Sequence, residues 1–553
     1  MRLPRIRDLT EEQKRVYLYA PTDKHVLVQG PPGTGKTLIA CLRAKELSKK
    51  GTPYVLGMFN RVLAKYSSNA SGDGEMQSQT LVVWFRQWWE RSGLPPHNAA
   101  GSQILIEAPF EDKEEVKQAG ATWAPKAWRP WGRRPGAWQI AAEQYFASPD
   151  RFEKWRLWHQ PPIVDGNAYR IAWDEVARHI LEHEDCIPDE VLDIGTLLID
   201  EGQDFPPSFY KTLQVICAVA GSRKGKIKHP PRCFVLADEN QQITEENSTL
   251  EEIAAALKVV AEHRYTLLDN FRNSKEIAEL ARSFFNDVGV LPRLPSRSSE
   301  RPIFSVLRSR AQAVERIRTW VRNNPGKETG VLVFEEGTRE ALTHDLTTAL
   351  EGTKGRSITV QTYSWKSRDQ NPVDDLQFDT GDVVTVLNMQ SCKGLEFDAV
   401  MVVGLREARI GLYGLDKFRM QMFVAVSRGR QWVHLMDIGT GGPPPAYTGC
   451  LPGPDVLERD APAGTSSSAN ATPPPRVAAP AAAGQATVVA KRAAQEDWRT
   501  ALARLARSES LVVDDRSENG GAVWVEGGQR LEGRLKPLGF TYSEKRAAWW
   551  RKP

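Results

Sequence analysis

Short apolar runs bounded by turn residues recur along this chain, and most are followed by apolar positions at helical spacing. Val26-Leu27-Val28 reads as a buried strand, and Leu38-Ile39-Ala40-Cys41-Leu42-Arg43-Ala44 reads as the helix after it. Thr196-Leu197-Leu198-Ile199, Cys233-Phe234-Val235-Leu236-Ala237 and Gly330-Val331-Leu332-Val333-Phe334 repeat the strand pattern. Strands alternating with helices predict parallel sheets covered by helices, so the expected fold class is α/β. The alternation fills two blocks, residues 1–92 with 165–272 and then 273–440. Each block is read as one α/β domain.

The pattern breaks in three places. Residues 93–164 carry Trp123, Trp128, Trp131, Trp138, Trp155 and Trp158 and read as a small module inserted into the first domain. From 441 to 485 the chain turns to Pro, Ala, Gly, Ser and Thr, a composition with too little apolar surface to fold, and reads as a disordered linker. Residues 486–553, with 13 Lys/Arg against 9 Asp/Glu, read as a small basic C-terminal domain. An internal repeat joins the last to the first: Val116-Lys117-Gln118-Ala119-Gly120-Ala121-Thr122-Trp123 resembles Leu535-Lys536-Pro537-Leu538-Gly539-Phe540-Thr541-Tyr542. Two copies of one module are therefore expected, with extra residues in the first.

Charge narrows the picture only locally. Lys and Arg exceed Asp and Glu by 73 to 69, so any nucleic-acid footprint must be a patch. The six cysteines form no CxxC pair, which argues against a zinc ribbon or a disulfide framework and fits a reducing cytoplasm. No run approaches the ~20 apolar residues of a membrane span. The expectation is a cytoplasmic protein with no membrane partner.

The chemistry is concentrated at strand ends. Gly30-Pro31-Pro32-Gly33-Thr34-Gly35-Lys36-Thr37 joins the first strand to the first helix. Gly30, Gly33 and Gly35 let backbone N–H groups close on phosphates with Thr34 in the same loop, Lys36 can reach the outer phosphates, and Thr37 can ligate Mg2+. Asp200 and Glu201 end the Thr196–Ile199 strand: the first suits a magnesium site and the second can orient or deprotonate an attacking water. Gln241 follows the next strand, where a neutral amide can sense a γ-phosphate. In Asn270-Phe271-Arg272 an aromatic face precedes a cation, a pairing suited to adenine and phosphate.

Together these segments resemble the ordered motifs of superfamily 1 helicases of the UvrD/Rep-like group. Leu9-Thr10-Glu11-Glu12-Gln13 resembles the Q motif, Ile199–Phe205 motif II, Asp238–Ile243 motif III and Asn270–Arg272 motif IV. Val386–Asp398 is similar to motif V and Phe423–Arg430 to motif VI. The resemblance implies two RecA-like P-loop NTPase domains with ATP and Mg2+ between them, and movement 3′ to 5′ on single-stranded DNA. By position it implies that Gln13 reads adenine, Phe271 stacks on it, and Gly394 and Glu396 meet the nucleotide. It gives Arg272 and Arg428 the stabilisation of phosphoryl charge. Locally, Gln13 also closes a Thr10-x-x-Gln13 capping box, Phe271 can be core, and Arg430 reads as a solvated neighbour.

Nucleic-acid contacts rest on weaker likeness. Asn60 and Arg61 lie in a stretch resembling motif Ia, and Trp84, Phe85 and Arg86 stand where the group often has Thr-Phe-His. The aromatics that usually follow motif III are replaced by Ile243-Thr244-Glu245-Glu246, and about fifty residues separate Phe334 from motif V, too few for a large insertion. The inserted module resembles a small domain often fused to primases and helicases. Its tryptophans can stack bases or form its own core. Trp123 and Trp549 are read as core, and Trp550, beside Arg551 and Lys552, as a contact for nucleic acid or for a protein partner. An ATP-switched binding or defence protein without unwinding, and RNA as substrate, stand as alternatives.

Overall fold

The computed structural model describes the chain outside residues 1–8, 59–77, 98–101, 126, 128–135, 165–169, 224, 242–246, 287–288, 353–355, 365–366, 368–369, 379, 409, 411–413, 440–444, 461–501, 503–512, 516–521, 527–530, 544–547 and 553. Strands are numbered in chain order. The first lobe is a six-stranded sheet of β1 (Val26–Gln29), β2 (Tyr54–Met58), β3 (Ser78–Thr80), β8 (Thr196–Ile199), β9 (Arg232–Ala237) and β10 (Arg264–Thr266). Its order is β10-β1-β9-β8-β2-β3, and every pairing is parallel.

Alternation along the strands sends neighbours to opposite faces. Val26, Val28, Leu198 and Leu236 pack with Ile39, Ala40 and Ala44 of helix Lys36–Lys49. Leu27, Leu197, Ile199 and Val235 pack on the other face with helices Leu81–Arg91, Trp173–Glu182 and Pro207–Ser222. Both faces are dry, which is why these strands read as continuous apolar runs. Each fully buried Val or Leu contributes about 1.5–3 kcal/mol.

The second lobe is a seven-stranded parallel sheet of β11 (Ile303–Leu307), β12 (Glu328–Val333), β13 (Thr359–Tyr363), β14 (Val383–Asn388), β15 (Phe397–Val403), β16 (Gly429–Ile438) and β17 (Glu458–Asp460). The order is β13-β14-β12-β15-β16-β11-β17. Leu332, Leu387, Val402 and Leu435 belong to the same apolar cluster as Val28 and Leu198, so one core runs through both lobes. The fold is thus α/β with two parallel lobes, as the alternation predicts. The expected linker from 441 is corrected here. Tyr447, Cys450 and Leu457 are buried and β17 pairs with β11, so the second lobe continues to residue 460. These few apolar anchors are hidden in a Pro/Gly-rich context.

Two small antiparallel sheets stand apart. One holds β4 (Gln103–Glu107), β5 (Thr122–Ala124), β6 (Ala137–Ala141) and β7 (Arg156–His159) in the order β5-β6-β4-β7. The other holds β18 (Val513–Asp515), β19 (Val523–Glu526), β20 (Thr541–Ser543) and β21 (Ala548–Arg551) in the order β18-β19-β21-β20. The repeat seen in the sequence is a repeat of structure. β5-β6-β4 matches β20-β21-β19, while the fourth strand comes last in one copy and first in the other. At equivalent turns Gly120 has φ +103° and Gly539 φ +81°, a region costly for any side chain. In each copy the next residue donates its N–H back to the helix, Ala121 to Val116 O and Phe540 to Leu535 O, both at 3.1 Å. Trp549 is buried, as expected, but Trp123 is 50% exposed and lies edge-on to Trp138 instead of filling the core. Ile104, Val116, Phe152 and Trp155 fill that core. No helix among the described residues is long and apolar enough to cross a membrane.

Candidate functional site

The C-terminal ends of β1, β8, β9 and β10 meet at one edge of the first sheet, the place where open parallel sheets bind ligands. β1 runs into the glycine loop, where Gly33 (φ +83°) and Gly35 (φ +86°) turn the chain into helix Lys36–Lys49. A Cβ on Gly33 would stand 2.3 Å from Asn270 Oδ1, and one on Gly35 2.6 Å from Gln13 Nε2, so both positions are closed to side chains. Lys36 Nζ donates to Gly30 O at 2.5 Å and lies 3.8 Å from Asp238. Thr34 is buried and its hydroxyl donates to Pro31 O at 2.8 Å. Thr37 Oγ1 donates to Asp200 Oδ2 at 2.5 Å, joining the loop to the end of β8.

Gln13 takes its capping-box place and also touches the glycine loop. Its backbone and side chain complete the capping box with Thr10, while Nε2 donates to Thr34 O at 3.1 Å. Phe271 is 48% exposed, which removes the core reading, and its N–H donates to Gly33 O.

Four carboxyls are buried here. Burial, then Glu201, pushes Asp200 up to about 6. Burial would also raise Glu201, but Lys393 and then Lys36 overcome it and hold that carboxyl at about 2. Glu201 is one of the described non-glycine residues with positive φ (54°), held by Gln203 Nε2 at 2.7 Å. Gln203 Oε1 in turn accepts the N–H of Asp238 at 2.8 Å, tying the ends of β8 and β9 together.

The opposite wall comes from the second lobe. Arg428, buried between helix Gly414–Val426 and β16, donates Nη2 to Gln241 Oε1 at 2.6 Å. Burial, with Arg272 adding to it, lowers Arg428 to about 10, so it remains a cation at neutral pH. Lys393, beside Gly394 in the loop after β14, donates to both oxygens of Asp204 at 2.7 and 2.6 Å. Glu396 accepts from Arg272 at 2.6 Å and from Arg430 at 2.8 Å. Burial opposes its ionisation, and Arg272 and then Arg430 override this, holding it at about 2. Asn273 Nδ2 reaches across to Ser427 O at 3.1 Å and Gly429 O at 2.5 Å. Between the walls lies a cleft of about 330 Å³ touching Lys36, Thr37, Glu201, Arg272, Gly394 and Arg428.

Thus Lys36, Asp200, Glu201, Gln241, Arg272, Glu396 and Arg428 converge. Sequence reasoning gave no role to Gln203, Asp204, Asn273 or Lys393, although all four lie inside or beside the quoted motifs. Arg430 is an ion-pair partner of Glu396 and not a solvated neighbour.

The nucleic-acid residues fare differently. Trp84, Phe85 and Arg86 lie in helix Leu81–Arg91 at 4%, 0% and 6% exposure; Trp84 and Phe85 pack with Trp173 and Phe209 beneath the first sheet and Arg86 donates to Gln160 Oε1 at 3.3 Å, so they do not present a binding surface. The apolar stripe of that helix outweighs its likeness to a contact motif. Asn60 and Arg61 fall outside the described residues. Trp550 is half-buried and stacks on Trp524, ring centroids 6.0 Å apart.

No protein-family model and no curated protein matches the chain. Among solved structures it is similar to the C-terminal domain of a possible DNA helicase from Lactobacillus plantarum WCFS1, at 17% identity and TM-score 0.24 over 34% of this chain and 98% of that one. It is also similar to the DUF1998 helicase MrfA bound to DNA, at 11% identity and TM-score 0.37, covering 78% of this chain and 46% of MrfA. Pif1 helicase from Candida albicans matches at 10% identity and TM-score 0.34 over 78% of this chain and 95% of that one.

Proposed function

We propose that the protein is an ATP-driven translocase or helicase of superfamily 1 type, acting 3′ to 5′ on single-stranded DNA. The observation that carries this reading is the hydrogen bond from Arg428 of the second lobe to Gln241 of the first, across a cleft floored by the glycine loop. A hydrolytic site split between two lobes converts phosphate loss into lobe movement.

The residues fit ATP and magnesium. The glycine loop rejects Cβ atoms, Arg272 Nε is buried without a partner at the cleft wall, and Lys36 and Arg428 offset the carboxylates. Thr37 and Asp200 would hold the ion, whose chemistry is to neutralise phosphate charge. Lys36 exchanges its bonds to Gly30 and Pro31 carbonyls for phosphate oxygens. Arg428 and Arg272 supply positive charge where it develops in the transition state. Glu201, held at about 2, is a weak proton acceptor and works by orienting water. Gln241 links the first lobe's phosphate end to Arg428.

Nucleotide-dependent work is tested by measuring ATP hydrolysis with single-stranded DNA, duplex DNA and RNA in parallel. Single-stranded DNA should stimulate most, and Lys36→Ala should abolish turnover; turnover retained in that variant would sink the site. One observation favours a second reading, an ATP-switched binding protein that does not unwind. Only residues 334–382 separate β12 from β14, and helix Glu336–Leu350 and β13 lie among them, so no large insertion stands between these strands.

A further inference from the structure

A second cluster lies away from the cleft, where the inserted module leaves the first lobe. Helix Trp173–Glu182 ends in His179-Ile180-Leu181-Glu182-His183, so the spacing brings two histidines and a carboxylate onto one face. One ligand atom from each of His179, Glu182 and His183 lies within 4.8 Å of the others. His97, in the segment entering the module, sets its ring edge-on to His179 with centroids 5.0 Å apart.

We propose that His179, Glu182 and His183, with His97 facing them, hold a divalent ion of the zinc class at the root of the inserted module. The hydrogen bonds behind the ligands favour this. His179 Nε2 is 2.8 Å from Pro95 O, and a carbonyl only accepts, so the proton is on Nε2 and the Nδ1 lone pair is left to bind an ion. A backbone carbonyl behind the far nitrogen is the usual support of a metal-bound histidine. His97 Nδ1 lies 3.4 Å from Ser102 Oγ, leaving Nε2 for the cluster in the tautomer that donates there.

Charge agrees. Glu182 is the last helical residue, where the carbonyl ends repel a carboxylate and attract a cation. Two imidazole nitrogens and a carboxylate oxygen, with the His97 ring beside them, suit a zinc-class ion better than calcium or magnesium.

A rival cluster, His25 with Cys217 and Cys233, lacks that feature. His25 Nδ1 accepts the Cys233 N–H at 3.0 Å, so the neutral ring carries its proton on Nε2 and offers no free lone pair. The proposed ion would fasten the segment entering the module to the helix that follows its exit. Ser102 O receives the Ala142 N–H at 2.9 Å, so this segment is already continuous with the module.

The test is titration of the chelator-treated full-length protein with Co2+, then displacement by Zn2+, without nucleotide. The proposal expects one equivalent of Co2+ with the visible bands of a four-coordinate nitrogen–oxygen site and no thiolate charge-transfer band. His183→Asn and Glu182→Gln, both at the accessible end of the helix, should each weaken Zn2+ binding at least ~10-fold, with circular dichroism unchanged. Cys217→Ser should leave binding intact. A thiolate band that disappears in Cys217→Ser, affinity unaltered by the His183 and Glu182 substitutions, or no stoichiometric binding would each overturn it.

Discussion

Glu201 sits in the left-handed region, a conformation that costs a non-glycine residue about 1 kcal/mol or more and persists only when its surroundings impose it. Gln203 and Lys393 impose it here. Lys393→Ala would leave Asp204 buried without its cation, a loss of about 3–5 kcal/mol, read as a lower midpoint in urea unfolding. Glu396 makes a sharper test of the lobe contact. Its pKa is depressed from the ordinary 4.5 to about 2, so its contribution is complete above 4.5 and fades as pH falls towards 2. Lowering the pH from 7 to 5 should therefore leave the Arg272–Glu396–Arg430 pairing intact, whereas Glu396→Gln at pH 7 should raise the KM for ATP by about 10-fold or more. A KM that moves with pH over that range in the wild type but not in the variant would contradict this. Trp84→Ala should cost about 3–5 kcal/mol of stability and leave the DNA affinity of the folded fraction unchanged. Weaker binding at undiminished stability would restore the contact role that its burial removes.

Each sheet of the two lobes was readable because a strand buried on both faces is a continuous apolar run, as in Leu197-Leu198-Ile199. The proposed nucleotide cleft was readable for a related reason. Its groups sit at strand ends, so a short motif carries both the element and the chemistry. Helix Leu81–Arg91 was misjudged because Trp84, Phe85 and Trp88 pack inward at helical spacing, and an aromatic pattern alone does not separate a core stripe from a base-stacking face. Lys393 and Asp204 escaped because their pairing joins residues 189 apart in the chain. The small modules were visible only as a repeat, and the structure adds why it persists: Gly120 and Gly539 occupy equivalent left-handed turns. Gly539→Val should therefore unfold the C-terminal module, because a β-branched side chain is strained at φ +81°. Loss of tryptophan fluorescence protection at Trp549, with ATP hydrolysis retained, is the expected result.

In the whole molecule, two parallel lobes share one apolar core and a cleft lined by charges from both, and two small aromatic modules are attached to them. The attachment predicts a division of labour. Removing residues 486–553 should weaken DNA binding and flatten its dependence on salt while basal ATP hydrolysis is unchanged; equal slopes would point to a protein partner for that module. Replacing Arg428 with Ala should lower hydrolysis by about 10³-fold, since Arg428 is the second-lobe cation bonded to the Gln241 side-chain oxygen, whereas Lys393 bonds only its backbone carbonyl. The most direct test of the motor reading is displacement of streptavidin from biotinylated single-stranded DNA with ATP supplied. ATP-dependent release is expected from the 5′ end, slower from the 3′ end, and absent in Lys36→Ala and Arg428→Ala. Hydrolysis stimulated by DNA with no release from either end would contradict it.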